Sequence, residues 1–254
     1  MKILVANDDG IRAEGIYQLV KALSTVAEIY VCAPHIQRSA SGHSISIGTP
    51  LKIEEVSFDH AELALEINGT PADCVKLGLQ VLDMRGIKID MVFSGINHGG
   101  NLGTDTLYSG TVSAAIEGAF NGIPAVAVSV NDHYPISFEY ACDLAVKTLK
   151  NVFGKLDSDT VLNINVPNLA PEDVKGLKYT RLGKREYENW FREKENEEGH
   201  KEYWYSGVPL IYEGLPEDVD VKSMQDGYAS ITPLHYDLTS HKLIEDLKKW
   251  GIEE

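Results

Sequence analysis

The sequence predicts an α/β fold with a mostly parallel, doubly wound sheet. Three observations in the first 34 residues predict it. Lys2–Ala6 is a short, nearly continuous apolar run, as expected of a strand buried on both faces. Residues 13–25 then place Ile16, Leu19, Val20 and Leu23 at helical spacing on one face. Residues 27–33 form a second apolar run, which Pro34 ends. Strand, helix and strand make a βαβ unit, so the strands are expected to be parallel and the crossover right-handed.

The remaining elements follow in order. Residues 35–50 turn to Ser, Gly and His and form a loop after the second strand. Residues 51–58 and 62–67 alternate apolar and polar, an antiparallel pair joined near Asp59 and His60. Thr70-Pro71-Ala72-Asp73 starts a helix that runs to about Met84: Thr caps, Pro takes the first position, and an acid sits in the first turn. Residues 89–93 are a strand, and a glycine-rich loop covers 94–111. A helix follows over 112–121, ended by Gly122 and Pro124. Residues 125–130 are a buried strand, 137–153 an amphipathic helix, and 161–166 and 177–181 later strands. Residues 184–201 are dense in mixed charge around Trp190 and Phe191. They are either a solvated excursion with one packed aromatic pair or a projecting arm that meets another subunit. Residues 228–234 return to strand character, and 240–250 form a C-terminal amphipathic helix.

Composition narrows the function. With 254 residues, 43% hydrophobic and 24% charged, the chain can bury a sizeable core as one large domain. A formal net charge of -15 argues against a nucleic-acid partner. It leaves room for a small phosphorylated substrate, because a bound cation inverts the local field. Cys32, Cys74 and Cys142 form no C-x-x-C pair and sit among apolar neighbours, as reduced core cysteines do. No run is long enough for a transmembrane helix or fits a signal peptide, so the expected compartment is the cytoplasm, without a membrane partner.

Three loops carry the chemistry, and each follows a predicted strand. The first holds Asp8 and Asp9 in Asn7-Asp8-Asp9-Gly10. Adjacent carboxylates repel and are costly to bury unless a cation offsets them. A divalent cation is one reading; an Asp9 N-cap for the following helix is the other. The second loop holds Ser39, and the third holds Asn97, Asn101 and Tyr108-Ser109-Gly110-Thr111. In a doubly wound sheet these loops share one edge. Asp8, Asp9, Ser39 and Asn97 offer hard oxygen ligands, suited to Mg²⁺, Mn²⁺ or Ca²⁺. Ser109, Gly110 and Thr111 open a helix, where free N–H groups bind anions; plain capping is the competing reading. The loop lacks the lysine of a Walker A motif and the G-x-G-x-x-G spacing of a dinucleotide site. His43 and His98 are placed to polarise a leaving group or to stand by in solvent.

Together these stretches resemble the SurE family of survival-protein-E nucleotidases. The likeness rests on the opening that ends in N-D-D-G, S-G-H-S-I over 41–45, S-G-I-N-H-G-x-N-L-G from Ser94, Y-S-G-T-V-x-A-A-x-E-G from Tyr108, and I-T-P-L-H-Y-D-L-T from Ile231. The resemblance implies a metal-dependent phosphomonoesterase acting on nucleoside 5′- and 3′-monophosphates, with short polyphosphate as a further substrate. It implies one divalent cation per subunit on Asp8, Asp9, Ser39 and Asn97, and phosphate contacts from Asn101, Ser109, Gly110 and Thr111. It also implies a three-layer, Rossmann-like α/β/α core over 1–135 with the active site. Residues 136–254 would complete that core and add an extension, with an arm at about 184–204 and a final helix, that joins dimers or tetramers. A metal-activated water is the expected nucleophile, with Asp8 or Asp9 taking its proton. The adjacent acids lack the D-x-D spacing of phosphatases that form an aspartyl phosphate. A nucleotide- or phosphate-binding regulatory module without turnover is the alternative.

Overall fold

In the computed structural model, which describes residues 1–188, 191–210 and 213–251, the first strand already specifies three layers. In β1 (Lys2–Ala6), Ile3 and Val5 point to one apolar layer, and Leu4 and Ala6 to the other. The chain continues as α1 (Glu14–Leu23), β2 (Glu28–Pro34), β3 (Ile53–Val56), β4 (Leu63–Ile67), α2 (Pro71–Met84), β5 (Met91–His98) and α3 (Gly110–Phe120). It then forms β6 (Ala125–Val130), α4 (Glu139–Val152), β7 (Thr160–Val166) and β8 (Leu177–Tyr179). The last part holds β9 (Tyr187–Glu188), β10 (Phe191–Glu195), β11 (Lys201–Tyr205), β12 (Val208–Pro209), α5 (Asp220–Gln225), β13 (Ala229–His235) and α6 (His241–Lys249). Helices α1 and α4 cover one face of the sheet, and α2 and α3 the other.

The main sheet runs β3-β4-β2-β1-β5-β6-β7-β13-β8. Only the β3–β4 and β7–β13 pairings are antiparallel. From β1 the chain moves outward through β2 and β4, then returns to β5 and moves out the other way. The direction switches between β1 and β5, the place in open α/β sheets where ligands bind, at the strands' C-terminal ends. The loops after both strands meet there.

The helix at 71 starts as expected. Thr70 Oγ1 accepts from the Asp73 N–H at 3.1 Å, and Asp73 Oδ2 accepts from the Thr70 N–H at 2.9 Å, a complete capping box. Strand β5 differs from expectation. It runs on through Ser94-Gly95-Ile96-Asn97-His98, residues assigned to a loop because of their composition. The ladder to β6 shifts register between Ser94 and Asn97, and a side-chain carbon on Gly95 would lie 2.2 Å from the Val128 carbonyl oxygen. Glycine marks a close backbone approach here. Helix α5 was not expected at all: six residues are too few for an apolar period.

The charged segment forms an antiparallel hairpin of β10 and β11, exposed along its whole length. Phe191 meets Tyr205 edge-on at 5.7 Å; Trp190, the other half of the expected aromatic pair, lies outside the described residues. Helix α6 buries none of its residues. Cys32, Cys74 and Cys142 are all free, with Cys142 only partly buried. Among the described residues, no helix is long and apolar enough to cross a membrane.

Gly15 sets how closely α1 approaches β5: a side-chain carbon there would lie 2.0 Å from the Ile96 carbonyl oxygen. In open space, a helical Gly→Ala change gains about 0.5–1 kcal/mol. Here the backbone blocks the methyl, so Gly15→Ala is expected to lose about 1–3 kcal/mol in urea unfolding. A stabilised variant would contradict this packing.

Candidate active site

The site forms where the ends of β1 and β5 meet the start of α3. Gly10, at φ 98°, turns the chain out of β1, and the Asn7 side chain donates to its carbonyl at 2.8 Å. Helix α1 begins after Ala13 with no side-chain cap, so Asp9 is not its N-cap. That removes the structural explanation for the second acid.

Asp8 is buried at 4% exposure, while Asp9 is only partly buried. The Thr111 hydroxyl donates to Asp8 Oδ1. A side-chain carbon on Gly110 would lie 2.8 Å from Asp8 Cβ and 2.9 Å from Oδ2. Gly110 is therefore a glycine because Asp8 occupies the space of its missing side chain. Ser109 caps α3, accepting from the Val112 N–H at 3.0 Å. The capping reading of Ser109 thus holds; the Thr111 N–H also bonds to the Asp8 carboxylate, which leaves the Gly110 N–H as the free donor of the first turn.

The second loop is drawn into the same place. The Arg38 N–H donates to the Asp8 carbonyl at 2.6 Å, and the Gly42 N–H to the Tyr108 carbonyl at 3.0 Å. Gln37 Nε2 bridges Asp9 Oδ1 at 3.2 Å and Ser39 Oγ at 2.9 Å. Gln37 escaped the sequence reading, since a lone glutamine in a polar loop carries no pattern. From β5, the His98 N–H donates to Asp9 Oδ2 at 3.2 Å. Asn97 donates Nδ2 to the Gly99 carbonyl at 2.6 Å, which leaves its Oδ1 for a ligand.

Two expected phosphate contacts are engaged elsewhere. The Thr111 hydroxyl and its backbone N–H both serve Asp8. Asn101 gives its Nδ2 to Ser129 Oγ at 2.8 Å, and its carbonyl accepts from Asn163 and Asn165. Asn101 thereby ties the glycine-rich loop to β6 and β7. Asp220 is a second brace that the sequence did not reveal: its carboxylate accepts from the Gly103 N–H at 2.7 Å and the Gly183 N–H at 2.8 Å.

Neither histidine is a free bystander. His43 Nε2 pairs with Glu117 Oε2 at 2.9 Å, and its ring stacks on Phe120. Glu117 is buried in α3 and also takes Lys76 Nζ at 2.8 Å. Burial raises the Glu117 pKa, but these two partners outweigh it and hold it below the ordinary value. The Ser39 loop is thus anchored to α3 through His43. His98 stacks on Phe138, and its Nε2 is buried without a partner.

The electrostatics fit a cation. Burial, helped by the charge on Asp9, pushes Asp8 from 3.8 up to about 7; the Thr111 hydrogen bond pulls the other way. Among the described residues, no cationic side chain forms an ion pair with Asp8. Among the described residues, no three His, Cys, Asp or Glu side chains gather as a metal cluster. The donors are instead two carboxylates, a hydroxyl and an amide oxygen, the hard set that Mg²⁺ or Mn²⁺ takes.

A family model described as "Survival protein SurE" matches residues 3–189. The protein named 5'-nucleotidase SurE from Pelotomaculum thermopropionicum is 48% identical over 98% of this chain and 95% of its own length. The one from Alkaliphilus metalliredigens is 45% identical over the whole of both chains. The crystal structure of the SurE protein from Aquifex aeolicus aligns with a TM-score of 0.85 at 38% identity, covering 99% of this chain and all of that one.

A carboxyl group whose pKa is raised by folding weakens the metal-free fold as pH climbs from about 4 to 7, and the loss stays above 7. A rise from 3.8 to about 7 corresponds to on the order of 4 kcal/mol. With a chelator present, Asp8→Asn is expected to unfold at higher urea than wild type at pH 8, with the gap closing by about pH 4. Equal stability at pH 8 would contradict the buried, unpaired carboxylate.

Proposed function

This chain belongs to the survival protein SurE family, and we propose on that footing that it is a 5′-nucleotidase, a hydrolase that releases phosphate from nucleoside monophosphates. One observation carries the reading: a buried acid without a cationic partner faces the start of α3 on the sheet edge where ligands bind. Asp8, Asp9, Ser39 and Asn97 would hold one divalent cation per subunit, Mg²⁺ or Mn²⁺, with Ca²⁺ also able to occupy the site. Such an ion, when bound, supplies charge against the phosphate oxygens and a lowered pKa for water.

The chain's own groups do the rest. The Gly110 N–H at the start of α3 donates to a phosphate oxygen and helps hold the ester in line for attack. Thr111 fixes the rotamer of Asp8. Asp9, the less buried acid, is placed to receive the proton of the attacking water. Water is preferred to an attacking carboxylate because Asp8 is enclosed and hydrogen-bonded, and the adjacent acids lack the D-x-D spacing of phosphatases that form an aspartyl phosphate. The proposal extends to 3′-monophosphates and to the terminal anhydride of short polyphosphate, since these groups grip a terminal phosphate whatever it is bonded to.

The hairpin and α6 are proposed as the surfaces of a homodimer or homotetramer. Trp204 and Tyr205 on the hairpin, and Leu243, Ile244 and Leu247 on α6, are exposed apolar side chains that self-association would cover. The free cysteines support a reducing compartment, so a cytoplasmic enzyme is part of the proposal.

Phosphate release from AMP and GMP, measured with Mn²⁺ or Mg²⁺, tests this function. Wild type is expected to turn over, and a chelator to stop it. Asp9→Asn is expected to lower kcat/KM by about 100-fold or more, as loss of several kcal/mol of charge stabilisation implies. Tight binding of monophosphates with no release would favour a regulatory binding module instead.

A further inference from the structure

Glu117 is the one ionisable residue in α3, and its side chain is only 2% exposed. The proposed chemistry does not use it. A buried carboxylate is costly unless paired, and an apolar residue would pack this position without that cost. Glu117 has instead gathered three partners: His43 Nε2 at 2.9 Å, Lys76 Nζ at 2.8 Å and Asn121 Nδ2 at 3.2 Å. Lys76 belongs to α2 and Asn121 to the end of α3, so these two hold the carboxylate in place. His43 comes from the loop that bears Ser39.

That loop has little structure of its own. Residues 35–52 form neither helix nor strand, and Ser39 is exposed. Ala40, the next residue, sits at φ 54°. A residue with a side chain keeps this left-handed conformation only where its surroundings enforce it. Before Ser39, the Arg38 N–H bonds to the Asp8 carbonyl; after it, the Gly42 N–H bonds to the Tyr108 carbonyl. His43 follows at once. Its ring stacks on Phe120 with centroids 5.0 Å apart and planes 15° apart. The bond to Glu117 fixes the ring's direction and the stack fixes its plane, and both restrain the turn that carries Ser39.

Helix α3 then acts as a rigid gauge. Thr111 in its first turn bonds Asp8, and Glu117, six residues on, bonds His43. At 1.5 Å per residue the two attachments lie about 9 Å apart along the axis. One helix thus places two of the proposed cation ligands, Asp8 directly and Ser39 through His43.

We propose that His43 and Glu117 are positioning residues that set the cation affinity of the site by holding Ser39. This rests on Ser39 as a cation ligand under the proposed function. Groups that orient a ligand are worth about 10–100-fold in metal affinity.

Mn²⁺ binding to the full chain stripped by a chelator, followed by the electron paramagnetic resonance of free Mn²⁺, tests this. His43→Ala is expected to weaken binding about 10-fold, and Ser39→Ala by at least as much. His43→Gln, whose amide can still donate to Glu117, is expected to recover most of the loss. If His43 acts through Ser39, adding His43→Ala to Ser39→Ala changes the affinity by less than about twofold. His43→Leu, which fills the ring's place without bonding Glu117, takes the place of His43→Ala if that variant does not fold. In phosphate release from AMP, His43→Ala is expected to need about 10-fold more Mn²⁺ for half its maximal rate and to reach the wild-type kcat once saturated. Full additivity in the double variant, or wild-type affinity in His43→Ala where Ser39→Ala binds weakly, would overturn the positioning role and leave the nucleotidase reading intact. Wild-type affinity in Ser39→Ala, or no Mn²⁺ binding by wild type, would overturn the ligand assignment and the positioning role together.

Discussion

The site depends on one constraint: a carboxylate at the end of a central strand is buried against the first turn of a helix. Asp8 takes the Thr111 hydroxyl and fills the space where Gly110 has no side chain. Burial alone would drive that acid neutral. The positive end of α3 contributes only about 0.3–1 kcal/mol against it. A charged Asp8 is therefore costly to this fold at neutral pH, a cost that the proposed cation would offset.

The surrounding loops convert that demand into a site. Gln37 ties Ser39 to Asp9, and the His98 amide ties the end of β5 to the same acid. Behind them, Glu117 gathers His43 and Lys76, so the loop bearing Ser39 is fixed to the helix that faces Asp8. Asn101 and Asp220 brace the glycine-rich loop from the far side of the sheet. Many of these bonds involve backbone groups, which positions the loops without rigid secondary structure. The net charge of -15 is compatible with an anionic substrate if the proposed cation supplies a local attraction.

The layers were legible because apolar period reports burial directly. Lys2–Ala6 and Ala125–Val130 read as strands, and the capping box at Thr70 read as a helix start. The C-terminal half of β5 was not legible: Gly95 serves close packing there, and glycine in a sequence signals a loop. For the site, the acid pair, Ser39 and Asn97 stood out by residue type and by their place after strands. What each hydroxyl or amide does was hidden. Thr111 and Asn101 looked like phosphate donors, but their partners, Asp8 and Ser129, lie 103 and 28 residues away. Gln37 and Asp220 were missed for the same reason, since their roles exist only through contacts that the fold creates.

The most direct measurement of the central claim is anomalous diffraction from crystals of the chain grown with Mn²⁺. One strong peak per subunit is expected, in contact with the carboxylates of Asp8 and Asp9, the Ser39 hydroxyl and the Asn97 Oδ1. A peak elsewhere, or none at saturating Mn²⁺ with Asp8 still buried against Thr111, would contradict it.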